Sequence, residues 1–221
     1  MSPMPGALRD KRHLLFDLDG TLVDSSPAHA AAFREALLAF APALAPGFDY
    51  ERVRGVETRA AMRMLGVDEA RLATAVDAKR EASRARLATE VRPFPGAREL
   101  LVALRAAGRS VHVVTSASRA SAERVLALFD LASPLAGLVA ADDVPRGKPD
   151  PAPYATALAR FGLDATWTLA VEDAPSGVAS ARAAGLDVVL VHADGGAVQV
   201  DGVPAFRDLP ALSRALLGAA P

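Results

Sequence analysis

The sequence contains no cysteine, no long apolar run and no excess of charge of one sign. The absence of cysteine excludes a disulfide framework and any zinc site with thiolate ligands. No uncharged apolar stretch approaches the roughly 18 residues that a membrane-spanning helix requires, so no membrane is expected as a partner. Acids and bases nearly cancel, to a formal net charge of -1, which argues against nucleic acid as the main partner.

The chain length suggests how the domains are organised. A chain of 221 residues falls between one domain and two, so a main domain with an insertion is expected. The first residues, MSPMPGALRDKR, have a basic pair without a long apolar run after it, and they resemble neither a signal peptide nor a membrane anchor. We therefore expect residues 1–12 to be a flexible tail on a cytoplasmic protein, with a monomer as the default state.

Residues 13–25, HLLFDLDGTLVDS, are the most informative stretch. An apolar strand leads directly into Asp17 and Asp19, and Gly20 then allows a sharp turn. Two carboxylates at the end of a buried strand are costly unless a cation or a substrate engages them. A calcium loop of the EF-hand type is excluded because the glycine stands too early. A plain strand end followed by a turn and a helix cap stays open on this segment alone.

Residues 26–91 carry a helical pattern. Apolar residues recur at helical spacing, and the segment contains no convincing strand, so we expect a small all-helical cap domain inserted after the first strand. Its second and third helices are predicted over residues 50–65 and 68–90. Lys79 falls on the inward stripe of the third helix, where a substrate contact competes with an exposed or snorkelling side chain.

Strands and helices alternate through the rest of the chain. Strands are predicted over residues 110–115, 137–141, 167–171 and 187–191, and helices over residues 97–107, 118–129, 151–161 and 175–184. Together with the first strand, this pattern predicts an α/β fold with a parallel sheet of about five strands flanked by helices. Ligands of such sheets bind beyond the carboxyl ends of the strands.

Polar residues follow three of these strands. Thr115 and Ser116 lead into the start of a helix, where hydroxyls and free amides can bind an anion, although simple helix capping is an alternative. Lys148 lies between prolines in a segment that lacks the spacing of a nucleotide P-loop, and a surface turn is its alternative. Glu172 and Asp173 end the fourth strand, where Asp173 could instead cap a helix.

All of these residues are expected at the same edge of one sheet. Asp17, Asp19 and Asp173 offer hard oxygen ligands for Mg²⁺, which binds few carboxylates and accompanies phosphate. Lys148 and the hydroxyl of Thr115 or Ser116 would hold the oxygens of the anion. The sequence therefore predicts phosphoryl transfer, in which positioning and charge neutralisation carry most of the catalysis.

Four motifs in this order, DLDGTLVDS, VVTSAS, GKPDP and VEDAPSGVASARAAG, resemble those of the haloacid dehalogenase superfamily. The resemblance covers about residues 13–217. It implies a Rossmann-like catalytic core made of residues 13–25 and 92–221. Residues 26–91 resemble the helical cap of the subfamily that contains sugar-phosphate and glycerol-phosphate phosphatases and beta-phosphoglucomutase.

The resemblance also implies a role for each motif residue, with Mg²⁺ as the cofactor. Asp17 would be the nucleophile that forms an aspartyl-phosphate, and Lys148 would draw charge from the phosphoryl group. Asp19 would protonate the leaving alcohol and then activate water, while its carbonyl binds the metal. Asp173 would complete the metal site, with Glu172 as a further ligand or a partner of the ligands. An acid at Asp19 favours phosphate esters over dehalogenation.

Three functions follow as hypotheses. The favoured one is a phosphatase acting on a small phosphorylated metabolite, a sugar or polyol phosphate. A phosphosugar mutase is the alternative, because His29 resembles the cap-hinge histidine of beta-phosphoglucomutase, although Thr58 stands where the mutase has an arginine. A non-catalytic phosphate- or protein-binding scaffold is the third, and loss of a motif residue would be its sign. The possible substrate contacts from the cap are His29, Arg54, Glu57, Arg59 and Lys79.

Overall fold

The computed structural model of the protein describes residues 8–196 and 198–218. Within these ranges the strands are β1 His13–Phe16, β2 Val23–Asp24, β3 Arg92–Pro93, β4 Ser110–Val114, β5 Gly137–Val139, β6 Thr168–Glu172, β7 Asp187–Val191 and β8 Ala205–Phe206. Strands β2 and β3 form a two-stranded antiparallel ribbon. The other six form one parallel sheet in the order β5-β4-β1-β6-β7-β8.

The helices of the described part are α1 Ser26–Phe40, α2 Thr58–Met64, α3 Glu69–Glu90, α4 Ala97–Ala106, α5 Arg119–Leu128, α6 Ala152–Phe161, α7 Pro175–Ala183 and α8 Leu209–Leu217. They cover both faces of the sheet because successive strand residues point in opposite directions. Leu14 and Phe16 share a buried cluster with α4, α5 and α8. Leu15 belongs to a second cluster with α6 and α7. The predicted α/β fold with a flanked parallel sheet is confirmed.

The sheet has one strand more than the five that were predicted. Strand β8 has only two residues, and it pairs with β7 at the edge of the sheet. Two residues hold a single repeat of the alternating pattern, so the sequence of this strand carries no strand signal.

The cap contains α1, α2 and α3. They enclose an apolar cluster of their own, which includes Phe33, Met62 and Leu72. The two-stranded ribbon of β2 and β3 closes the segments that lead into and out of this unit. The predicted domain boundaries at residues 25/26 and 91/92 stay a prediction, and this separate cluster supports them.

The predicted continuous helix over residues 50–65 is wrong. The chain forms a 3-10 turn at Tyr50–Arg52, and α2 begins only at Thr58. Between them Gly55 has a φ of +71°, a left-handed conformation that ends helical geometry. The Glu57 side chain then accepts hydrogen bonds from the amides of Arg59 and Ala60 and so starts the next helix.

The start of the chain bears on the predicted flexible tail. Residues 1–7 of that tail lie outside the described residues. Leu8 is buried in the core, and the Lys11 ammonium donates hydrogen bonds to the Asp187 carboxylate at 2.5 Å and the Thr166 carbonyl at 2.7 Å. The expectation therefore does not hold for residues 8–11, because burial and an ion pair attach them to the core. None of the helices described is long and apolar enough to cross a membrane.

Candidate active site

The carboxyl ends of the central strands bring the predicted polar residues to one edge of the sheet. Asp17 directly follows β1, and its amide donates to the Val171 carbonyl at 2.9 Å. Thr115 directly follows β4, and its amide donates to the Val139 carbonyl at 2.9 Å. Glu172 is the last residue of β6. These backbone bonds fix the carboxylates and hydroxyls relative to the sheet.

Lys148 is the centre of the site. Its ammonium donates to the carboxylates of Asp17 and Glu172, both at 2.6 Å, and to the Val114 carbonyl at 2.8 Å. Burial lowers the pKa of Lys148, but the charges of Asp17 and Glu172 outweigh it and raise the pKa above its ordinary value. An ammonium has three donors, and all three are used, so Lys148 is a fixed positive charge beside Asp17.

Glu172 is held from two sides. Its carboxylate is almost fully buried and accepts a hydrogen bond from the Tyr154 hydroxyl as well as the one from Lys148. Gly177 in α7 leaves room for it, because a Cβ at that position would overlap the carboxylate. Of the two roles open to Glu172, metal ligand or partner of the ligands, these contacts favour the second.

Three buried carboxylates meet at this edge. Asp17, Glu172 and Asp173 each offer an oxygen, and these oxygens lie within 4.8 Å of one another. Burial raises the pKa of Asp17, the charge of Lys148 opposes that rise, and the two neighbouring carboxylates add to it. Burial and Glu172 raise the pKa of Asp173 to about 7, against the opposing charges of Arg54 and Lys148. Such repulsion is relieved by a cation, and the hard oxygen donors fit Mg²⁺, so the cluster could hold a metal ion.

The turn after Asp19 depends on glycine. Gly20 has a φ of +90°, and a Cβ there would overlap the Asp173 carboxylate. The absence of a Cβ at Gly20 therefore lets the turn after β1 lie directly against the Asp173 carboxylate.

Asp19 faces the cap. The Asp19 carboxylate lies 3.6 Å from the Nε2 of His29, whose Nδ1 lies 2.8 Å from the Lys79 ammonium. Because an ammonium only donates, Nδ1 accepts, and these partners assign the ring proton to Nε2, toward Asp19. Burial raises the pKa of Asp19, but the neighbouring His29, Ser25 and Lys79 outweigh it and leave the pKa below its ordinary value. Burial and the charge of Lys79 lower the pKa of His29.

Lys79 lies inside the cap rather than on its surface. It is 5% exposed, and its ammonium lies 4.6 Å from the centre of the Phe33 ring. Burial lowers its pKa to about 8, while the charge of Asp19 opposes this. The alternative of an exposed or snorkelling side chain is therefore wrong, because the inward stripe of α3 is packed against α1.

Arg54 connects the cap to the core. Its guanidinium donates to the Asp173 carboxylate at 3.1 Å and lies 2.5 Å from the Asp194 carboxylate. Asp194 lies three residues after β7, at the same edge of the sheet, and the sequence analysis missed it. A signal was present, since Asp194 precedes two glycines just beyond the last predicted strand.

The two candidate hydroxyls differ in their surroundings. The Thr115 hydroxyl is buried and accepts a hydrogen bond from the Ala117 amide at 3.0 Å. Ser116 is half-buried and lines the cavity between core and cap. Accepting this bond leaves the Thr115 O–H free to donate, so both hydroxyls stay candidates for binding the phosphate.

The cavity between core and cap has a volume of about 110 Å³. Asp17, Asp19, Lys148, Glu172 and Asp173 line it from the core. Its cap lining includes His29, Tyr50, Arg54, Thr58, Lys79, Arg80 and Ser83.

Glu57 and Arg59, two of the predicted substrate contacts, do not belong to this lining. Glu57 caps α2 and lies 3.5 Å from the Arg80 guanidinium. Arg59 is exposed. The broken helix at Gly55 turns both side chains away from the cavity.

A parallel α/β sheet that ends in this lysine and these carboxylates, under a helical cap, is the architecture of a phosphate ester hydrolase. Residues 14–191 match the family model described as haloacid dehalogenase-like hydrolase. The chain belongs to this family, and it is a phosphoric monoester hydrolase.

Individual relatives agree with this assignment. A phosphoglycolate phosphatase of Rhodospirillum rubrum is 35% identical over 190 residues, 80% of this chain and 78% of that protein. Hexitol phosphatase A of Escherichia coli is 38% identical over 181 residues, 81% of this chain and 82% of that protein. Among solved structures, a hydrolase from Pseudomonas syringae is 25% identical with a TM-score of 0.79, and the match covers 91% of this chain and 96% of that one.

Proposed function

We propose that the protein is a Mg²⁺-dependent phosphatase that hydrolyses a small sugar or polyol phosphate through an aspartyl-phosphate. The observation that carries this proposal is the Lys148 ammonium, bonded at 2.6 Å to both Asp17 and Glu172 beside a cluster of carboxylates. The names of the relatives, phosphoglycolate phosphatase and hexitol phosphatase, support a small phosphorylated substrate.

Asp17 is the nucleophile in this mechanism. Lys148 holds one of its carboxylate oxygens and leaves the other to attack phosphorus. A bond forms between that oxygen and phosphorus while the ester bond to the alcohol breaks. A carboxylate is a weak nucleophile, so the positive charge of Lys148 near the phosphoryl oxygens is required.

Asp19 moves the protons. It gives a proton to the alcohol oxygen as the ester bond breaks, and its carboxylate then takes a proton from the water that hydrolyses the aspartyl-phosphate. The nearby Nε2 of His29 favours the carboxylate form of Asp19, which is the form that takes a proton from water in the hydrolysis of the aspartyl-phosphate. The negative charge of an arriving phosphate favours the protonated form, which suits the first.

The remaining residues bind the metal and the phosphate. Asp17, Asp173 and the backbone carbonyl of Asp19 would hold Mg²⁺, which would supply neutralising charge to the phosphoryl oxygens. The hydroxyl of Thr115 or Ser116, ahead of α5, donates to the phosphate, since the Thr115 hydroxyl accepts from the Ala117 amide and keeps its own O–H as a donor. The cap excludes bulk water from the reacting atoms.

Phosphate release from a broad panel of small phosphate esters, with Mg²⁺ and with a chelator, tests this function. We expect release that depends on Mg²⁺ and that is fastest for sugar or polyol phosphates. Absence of release from every ester in the presence of Mg²⁺ would contradict the proposal.

A mutase is the second candidate, and the contacts of His29 with Asp19 and Lys79 favour it. Thr58 lines the cavity where the mutase has an arginine, and the neighbouring Arg59 is exposed, so the cap lacks the expected cation at that point. Beta-glucose 1-phosphate in the same panel distinguishes the two functions. A mutase would return isomerised sugar phosphate with little free phosphate.

A further inference from the structure

Ser83 carries a buried hydroxyl that no group within the described ranges satisfies. The residue is 7% exposed, lies in the middle of α3 and lines the cavity. Its Oγ has no hydrogen-bond partner, and it does not bond to the carbonyl one turn earlier as helical serines often do. Buried hydroxyls nearly always have a partner, so this one is available to a group that enters the cavity.

The position of Ser83 is on the leaving-group side of the reaction. Lys79 and Ser83 are four residues apart and therefore share one face of α3. Lys79 connects through His29 to Asp19, the residue that meets the leaving oxygen in the proposed mechanism. Ser83 lies one turn further along the helix, where Leu87 and, from the core, Val125 also line the cavity.

Three cations around the cavity are paired with carboxylates. Arg54 is paired with Asp173 and Asp194, and Arg80 lies 3.5 Å from Glu57. Lys148 is bonded to Asp17 and Glu172.

Lys79 differs, because its contact with the His29 ring nitrogen uses one of its three donors and neither that contact nor the Phe33 ring carries a negative charge. Its ammonium can therefore also bind an oxygen of the leaving group, one helical turn from Ser83.

We propose that Ser83 forms a leaving-group subsite that selects a hydroxylated alcohol over an alkyl alcohol of the same carbon skeleton. The Ser83 hydroxyl, which lines the cavity, exchanges a hydrogen bond with a hydroxyl of the substrate. This inference rests on the proposed phosphatase function and narrows its substrate class.

The test compares kcat/KM for three-carbon esters that differ only in hydroxyl content: propyl phosphate, 2-hydroxypropyl phosphate and glycerol 3-phosphate. The wild-type enzyme should prefer the hydroxylated esters. Ser83→Ala should shrink the ratio of glycerol 3-phosphate to propyl phosphate by about tenfold, the effect of one lost hydrogen bond. Ser83→Cys, whose thiol is a weak donor and acceptor, should shrink the ratio in the same direction.

Ser121→Ala is the matched control, because Ser121 lines the same cavity but its hydroxyl already bonds to Ser118. This control should keep the wild-type ratio. An equal loss for all esters in Ser83→Ala, or a wild-type preference for propyl phosphate, would overturn the subsite while leaving the phosphatase function intact. Absence of Mg²⁺-dependent release from every ester would instead overturn the proposed function, and the subsite with it.

Discussion

Lys148 illustrates how a buried charge serves both the fold and the chemistry. Its ammonium donates to the buried carboxylates of Asp17 and Glu172, and breaking such a pair leaves uncompensated charge inside the protein. Lys148→Met should therefore abolish phosphate release and lower the free energy of unfolding by about 3–5 kcal/mol. Activity assays and chemical denaturation measure the two effects.

Lys11→Met is the matched control for this variant. Lys11 is equally buried and pairs with Asp187, but it lies at the opposite edge of the sheet. Lys11→Met should lower the free energy of unfolding and leave the turnover number at the wild-type value. Turnover by Lys148→Met close to the wild-type rate would contradict the role given to Lys148.

His112 predicts an acid sensitivity that has no connection to catalysis. It is buried in β4, and its ring stacks on that of Phe161 with the ring centres 4.4 Å apart. Its Nδ1 has no hydrogen-bond partner among the described groups. Burial, and then the charge of His13, lower its pKa to about 4. The unfolded chain, with a histidine pKa of about 6.5, binds this proton more readily. Stability contributed by neutral His112 is therefore complete above about pH 6.5 and is lost as the pH falls toward 4.

Melting temperature measured from pH 7 to pH 4 tests this expectation. His112→Gln removes the titrating group, so its melting temperature should depend less steeply on pH than that of the wild type. His13→Gln serves as the comparison, because His13 is half-buried and its Nδ1 lies 2.7 Å from the Ser110 hydroxyl. Parallel curves for the wild type and His112→Gln would show that His112 is not responsible.

Arg54, in a loop of the cap, is one of the side chains that join the cap to the core. It contacts Asp173 and Asp194 across the cavity, in addition to the contact between His29 and Asp19. Arg54→Met should raise KM and speed hydrogen exchange of the loop at residues 50–57, because the loop loses its ion pairs with the core. Arg52→Met changes an exposed arginine two residues away and should alter neither quantity. Hydrogen exchange of residues 50–57 at the wild-type rate in Arg54→Met would show that the ion pairs of Arg54 do not hold this loop to the core.

Element boundaries also show where sequence reasoning succeeds. The strands of the sheet were predictable because each is a short apolar run closed by a turn signal, and β7 has the predicted bounds. The break within residues 50–65 was not predictable, because the helical periodicity of the sequence gives no sign of the left-handed turn at Gly55. Strand β8 was missed because two residues carry no pattern.

For the molecule as a whole, the chain order of the strands explains why the catalytic residues could be predicted. Every motif residue lies at or beyond the carboxyl end of a strand, and parallel strands bring these ends to one edge. Lys148 and Asp17 are 131 positions apart in the chain, yet they lie 2.6 Å apart in the structure. The roles of Tyr154 and Ser83 could not be assigned in this way, because both residues lie inside helices and their surroundings depend on how those helices pack.

The central claim is that phosphate passes through a covalent bond to Asp17. Enzyme quenched in acid during turnover of a good substrate, digested and examined by mass spectrometry tests it most directly. We expect the peptide that contains Asp17 to gain one phosphoryl group, and Asp17→Asn, which keeps the shape of the side chain, to lose both this modification and turnover. A wild-type peptide without the phosphoryl group, together with appreciable phosphate release by Asp17→Asn, would contradict the account.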